Sequence, residues 1–94
     1  MNLLTIRTHV ANYFGLNPDD LNIDTRRREI VIARQFYTYL AMELTVYPPS
    51  YIMKTIGRSR AVAYSGNKQL ENLISTDKKY RNSIIEIKNN IFTA

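Results

Sequence analysis

Arginine is the residue with which this sequence could do most. Arg26, Arg27 and Arg28 are consecutive, Arg34 follows six positions later, Arg58 and Arg60 straddle a single serine, and Lys54 and Lys68 lie on either side of that pair. Guanidinium and ammonium groups are cationic at neutral pH, donating hydrogen bonds and accepting none, so the chemistry open to them is the binding of anions, phosphates above all. Their clustering carries the inference. Between positions 25 and 70, eight cations face two anions, a surplus of six, whereas the rest of the chain holds five cations and six anions. A basic middle in an otherwise balanced chain is the electrostatic footprint of a nucleic-acid binder rather than of a merely solvated surface.

Other groups weigh less. Asp19 and Asp20 are adjacent carboxylates that point in different directions on a helical turn, so they suit an N-terminal helical turn better than acid/base catalysis. The lone His9 lies on the flank of an amphipathic stretch, and the absence of cysteine removes disulfides and thiolate metal sites. Tyrosine nucleophiles need acid, base and anion-binding groups around them, and one distant histidine supplies no such set. No enzyme, metal or cofactor is expected. No apolar run approaches the roughly 18 residues of a membrane span and no signal peptide is visible, so a cytoplasmic, nucleoid-associated domain without membrane contact is expected.

The stretch that must present the cations is PPSYIMKTIGRSRAVAYSGNKQL, positions 48–70. Pro48 and Pro49 end one helix and suit the start of another, predicting a short helix from about Ser50 to Ile56. Gly57 turns the chain, and Ser59 is placed to cap a helix from Arg60 to about Ile74. Two helices about a glycine turn form a helix-turn-helix, with Arg60 in the first turn of the second. Periodicity puts Val62, Gly66, Leu70 and Leu73 on its packing face and Arg60, Tyr64 and Asn67 opposite. A cationic first turn conflicts with the positive end of the helix dipole. An anionic partner would remove the conflict.

The remaining elements frame that unit. Leu3, Ile6, Val10, Tyr13 and Phe14 make one helical stripe closed by Gly15, and Asn17-Pro18-Asp19-Asp20 signals a short helical turn. Thr25 is placed to cap a helix running through the arginine triplet to about Leu44, apolar on most of its circumference and therefore the centre of a bundle. Arg34 is the exception on that helix: it either snorkels to solvent or points at a specific anion. Ser75-Thr76-Asp77 caps a last helix with Tyr80, Ile84, Ile87 and Ile91 on one stripe. Ninety-four residues without strand-like alternation, repeats or linkers predict one all-α domain, 1–94, of five or six helices.

Laid end to end, IRTHVANYFGLNPDDL, RRREIVIARQFYTYLAMELT and IMKTIGRSRAVAYSGNKQL resemble the C-terminal DNA-binding domain of the bacterial replication initiator DnaA over almost the whole chain. The resemblance implies a Trp-repressor-like helical bundle and double-stranded DNA as partner. Family members place a basic-loop arginine in the minor groove, at the position of Arg28 here, with Arg26 and Arg27 beside it. The arginine of their alanine-arginine-glutamine segment, Arg34 here, contacts backbone or base, and their turn arginine matches Arg58. Their signature Arg-Asp-His-Ser/Thr-Thr-Val becomes Arg58, Ser59, Arg60, Ala61, Val62 and Ala63, with one turn glycine missing. The base-reading positions are thus Ser59, Arg60 and Ala61. Lys54 and Lys68 are placed for phosphates, and Tyr64 follows Arg60 by one helical turn. No GxxxxGK[ST] occurs, so nucleotide hydrolysis is not expected of this polypeptide. The contrasting expectation is a degenerate initiator domain that binds a replication or regulatory protein through Tyr39, Tyr47, Tyr51 or Tyr64. Oligomeric state is left open by the sequence.

Overall fold

The computed structural model describes residues 2–23 and 25–93 and places five α-helices in order: α1 (Leu3–Tyr13), α2 (Arg28–Leu44), α3 (Pro49–Lys54), α4 (Arg60–Thr76) and α5 (Lys78–Thr93). A 3-10 turn, Pro18–Asn22, lies between α1 and α2. No strand occurs among the described residues, in keeping with the all-α expectation. The helix that is apolar nearly all round, α2, is central: it packs on α1, α3, α4 and the 3-10 turn, burying Ile30, Ala33, Phe36, Tyr37, Leu40 and Ala41. The core continues through Ile6, Val10, Leu21, Ile52, Ile56, Leu70 and Ile87, each fully enclosed.

Local signals explain most boundaries. Gly15 and Gly57 both adopt left-handed backbone, φ +70° and +68°, which a β-carbon disfavours, and each ends a helix. The Asp20 carboxylate accepts from the Asn17 amide at 2.9 Å, tying the 3-10 turn, and Asp19 lies 3.8 Å from Arg7. Both acids therefore hold local structure. Asp77 accepts from the Lys79 amide at 2.9 Å and starts α5. Its neighbours Ser75 and Thr76 belong instead to the end of α4, where their hydroxyls donate to the Asn72 carbonyl.

Several expectations need correction. Thr25 does not cap α2: its hydroxyl accepts from the Arg27 amide at 3.2 Å, two residues too early, and Arg27 occupies the cap position without a side-chain bond. Ser59 has cap backbone geometry, φ −88° and ψ 158°, but its hydroxyl makes no capping bond. On α4 the packing stripe runs through Ala63, Gly66, Asn67, Leu70 and Ile74, so Val62 is 46 % exposed and Asn67 faces inward, donating to the Met42 sulfur at 3.0 Å. Ala63, on the stripe that packs, is fully buried, and Gly66 faces Gln35 of α2, where a β-carbon would meet Gln35 Cγ in ordinary contact at 3.5 Å. Tyr39, expected at the surface, is half-buried against the core.

The first helix of the helix-turn-helix is fastened to the core by polar contacts. Thr55 donates to the Ile52 carbonyl at 2.6 Å, so the Tyr37 phenol, 2.6 Å away, donates to Thr55. Arg7 reaches the Thr55 carbonyl at 3.1 Å and Asn22 Oδ1 at 3.2 Å, joining α1 to the end of α3. Burial pushes the Tyr37 phenol above its ordinary 10.0, with the positive charge of Arg7 acting the other way. An unfolded chain ionises this phenol more readily than the folded one does. Its contribution to stability is therefore complete below pH ~10 and is lost as pH rises through the folded value. Tyr37→Phe should cost about 1 kcal/mol at neutral pH and flatten the alkaline fall of Tm, measured by circular dichroism. Parallel alkaline slopes in the two proteins would contradict the assignment.

Candidate nucleic-acid interface

Three short segments carry the cations, and the fold brings Arg26, Arg28, Arg34 and Arg58 to two adjoining grooves, whereas Lys54, Arg60 and Lys68 line neither. The basic loop leads directly into α2, whose first residue is Arg28; Arg26, Arg27 and Arg28 are all exposed. Arg27 lies 2.5 Å from Glu29, and that carboxyl is held below its ordinary range by hydrogen bonds from its own backbone amide and from Arg27. Glu29 thus remains anionic at neutral pH. It competes with any external anion for Arg27 but leaves Arg26 and Arg28 to face a cleft.

That cleft, about 540 Å³, lies between the start of α2 and the latter part of α4, bounded by Arg26, Arg28, Val31, Gln35, Gln69 and Asn72 among others. A second groove of about 220 Å³ continues from it toward the helix-turn-helix turn, sharing Val31, Gln35 and Gln69 and adding Arg34, Arg58, Val62 and Ser65. The Gln35 amide donates to Gln69 Oε1 at 2.9 Å where the two grooves meet. One furrow therefore connects the basic loop to the start of α4.

Arg34 does not snorkel to solvent. It is 9 % exposed, and its guanidinium donates to three backbone carbonyls: Leu21 at 2.8 Å, Thr25 at 3.2 Å, and Ile23. Carbonyl oxygens of the chain itself surround the cation, so Arg34 holds the segment that carries the basic loop. Arg58, half-buried, donates to the same Ile23 carbonyl at 3.1 Å. The turn arginine and the helix arginine thus converge on one oxygen. That shared acceptor braces the basic loop against the helix-turn-helix.

Along α4, Ala61, Ser65, Lys68 and Asn72 follow at steps of four, three and four residues and form an exposed ridge. Arg60 and Tyr64 flank it on the side away from α2, the Arg60 guanidinium carbon 6.0 Å from the Tyr64 ring centre, within cation–π range. Ser59 is exposed at the start of α4 and Lys54 at the end of α3. Gln35, Ser65, Gln69 and Asn72 did not stand out in the sequence. The signal for three of them was present, since they fall on or beside the stripe defined by Ala61 and Lys68. No group of three or more potential metal-ligating side chains occurs among the described residues. No helix among them is long and apolar enough to cross a membrane.

Residues 4–69 match the family described as bacterial DnaA protein helix-turn-helix. The chain is similar to proteins named chromosomal replication initiator protein DnaA: 32 % identical over 87 residues to that of Streptococcus pyogenes serotype M4, covering 92 % of this chain and 19 % of the relative. It is 28 % identical over 90 residues to that of Latilactobacillus sakei, covering 95 % and 20 %. To that of Flavobacterium psychrophilum it is 32 % identical over 83 residues, covering 87 % and 17 %. The chain spans about a fifth of the length of these relatives.

Proposed function

Because the chain belongs to the bacterial DnaA helix-turn-helix family, we propose that it binds double-stranded DNA, with the ridge of α4 in the major groove and the Arg26–Arg28 loop on the neighbouring backbone or minor groove. The observation that carries this reading is the furrow between the basic loop and α4, flanked by cations and braced through the Ile23 carbonyl. Phosphate contacts from Arg26, Arg27, Arg28, Lys54 and Lys68 supply most of the affinity. Arg58 and Arg34 act chiefly by fixing the geometry. Arg60, Ser59 and Ala61 meet base edges at the start of α4, and the Tyr64 ring holds the Arg60 guanidinium near the outward ridge. The domain performs no catalysis of its own.

Selection from random duplexes tests this reading. Recovery of an enriched motif supports a sequence-specific binder, and salt-sensitive retention without enrichment supports binding through phosphates alone. On any enriched duplex, Arg28→Ala and Lys68→Ala should weaken preferred and scrambled sequences by similar factors, whereas Arg60→Ala should cost about 1 to 3 kcal/mol on the preferred one only. Absence of retention would favour a second reading, docking of a replication or regulatory protein. That reading has one observation in its favour: the Tyr47 and Tyr51 rings stack at 5.0 Å on the surface beside the fully exposed Val46.

A further inference from the structure

The outer face of α5 carries two large apolar residues that nothing in the fold covers. Ile85 is 52 % exposed and Phe92 64 %, although the opposite face of the same helix is buried through Ile84, Ile87 and Ile91. They are seven residues apart. Asn82 and Asn89, both exposed, interleave with them, giving steps of three, four and three along one stripe. Assigned as a heptad, the asparagines occupy a positions and Ile85 and Phe92 occupy d positions. The flanking residues then sort by charge: Arg81 and Lys88 fall at g, and Glu86 at e.

We propose that this face pairs two copies of the chain as a short parallel coiled coil about a two-fold axis. Parallel pairing sets each Arg81 against Glu86 of the second copy, five residues on, and sets asparagine against asparagine at both a positions. Antiparallel pairing sets g against g and e against e, which leaves Arg81 without an acidic partner on the second copy. Charge therefore selects the parallel arrangement. Glu86 makes no ion pair within the described chain, and Arg81 uses only its Nε, toward the Ile74 carbonyl at 3.3 Å. Lys88 is already paired with Glu43 of α2, so the Arg81 and Glu86 pairs dominate the seam. A helix of 16 residues is about 24 Å long, a small seam, so the dimer is weak and concentration-dependent.

Sedimentation equilibrium from micromolar to near-millimolar chain should show a monomer–dimer equilibrium. Ile85→Lys with Phe92→Lys should abolish it while leaving the melting curve nearly unchanged, since both residues are exposed in the folded monomer. Arg81→Glu alone should weaken the dimer several-fold, and Arg81→Glu with Glu86→Arg should restore it, a rescue that a merely hydrophobic association would not show. The absence of native cysteine allows a direct register test. Asn89→Cys should close a disulfide between copies under mild oxidation, and Asn90→Cys, one residue off the stripe, should not. A monomer at every concentration would overturn the proposal. So would a dimer indifferent to the Ile85 and Phe92 changes, or one cross-linked equally by either cysteine.

Discussion

Replacing Arg34 by alanine is expected to destabilise the domain by about 3 kcal/mol or more. The side chain is buried and donates to the carbonyls of Leu21, Ile23 and Thr25, each a hydrogen bond assisted by the guanidinium charge. Alanine removes all of them at once and leaves the Leu21 carbonyl, within a buried residue, without this donor. For a domain of this size, 3 kcal/mol corresponds to a fall in Tm of roughly 12 to 24 °C. Arg34→Lys should recover less than half of the loss, because one ammonium cannot span three acceptors that a planar fork reaches together. Thermal and urea denaturation measure both variants. A loss below about 1 kcal/mol would mean that the carbonyls find water readily and that Arg34 does not hold the loop.

The second large effect concerns base preference. The family signature supplies an aspartate, a histidine and threonine groups where this chain has Ser59, Arg60, Ala61 and Val62, and Val62 lies exposed on α4, beside the groove rather than in the core. Each lost or mismatched base contact costs about 1 to 3 kcal/mol, so two or three such changes erase most of an inherited preference even where the basic loop docks unchanged. Under the proposed docking, Arg60 would favour guanine and Ala61 a thymine methyl. Labelled duplexes carrying the DnaA family's recognition box and a scrambled box, titrated at matched salt, should bind within about threefold of each other. A preference of about a hundredfold for the family's box, about 2.7 kcal/mol, would contradict the reading of α4.

The skeleton of the fold was legible because its signals are local. Gly15 and Gly57 marked left-handed helix ends, and the isoleucine stripe of α5 and the apolar circumference of α2 marked one peripheral and one central helix. Phase and partnership were less legible. On α4 both Val62 and Ala63 are apolar, and Gly66 and Leu70 are compatible with either stripe, so only the approach of α2 over Ala63 and Gly66 decides which faces in. Hydroxyls at Thr25 and Ser59 suggested caps by type: Ser59 does occupy the cap position of α4, without a capping bond, whereas Thr25 precedes the cap of α2, Arg27, by two residues. Arg34 stood out as the exception on α2, but the carbonyls it reaches were not legible. Its acceptors are main-chain oxygens of an irregular segment, and periodicity says nothing about where such oxygens lie.

Salt dependence of duplex binding tests the central claim most directly. If four or five of the exposed cations Arg26, Arg27, Arg28, Lys54 and Lys68 reach phosphates, log K against log salt should fall with a slope of about −3.5 to −4.5, at roughly −0.9 per contact. Charge reversal at Asp19, beside Arg7 and away from the furrow, should leave that slope unchanged. Fluorescence anisotropy of one labelled duplex across a salt series gives the number. A slope in the stated range is the expected result, and a slope near zero would contradict the proposal that this cationic face binds DNA.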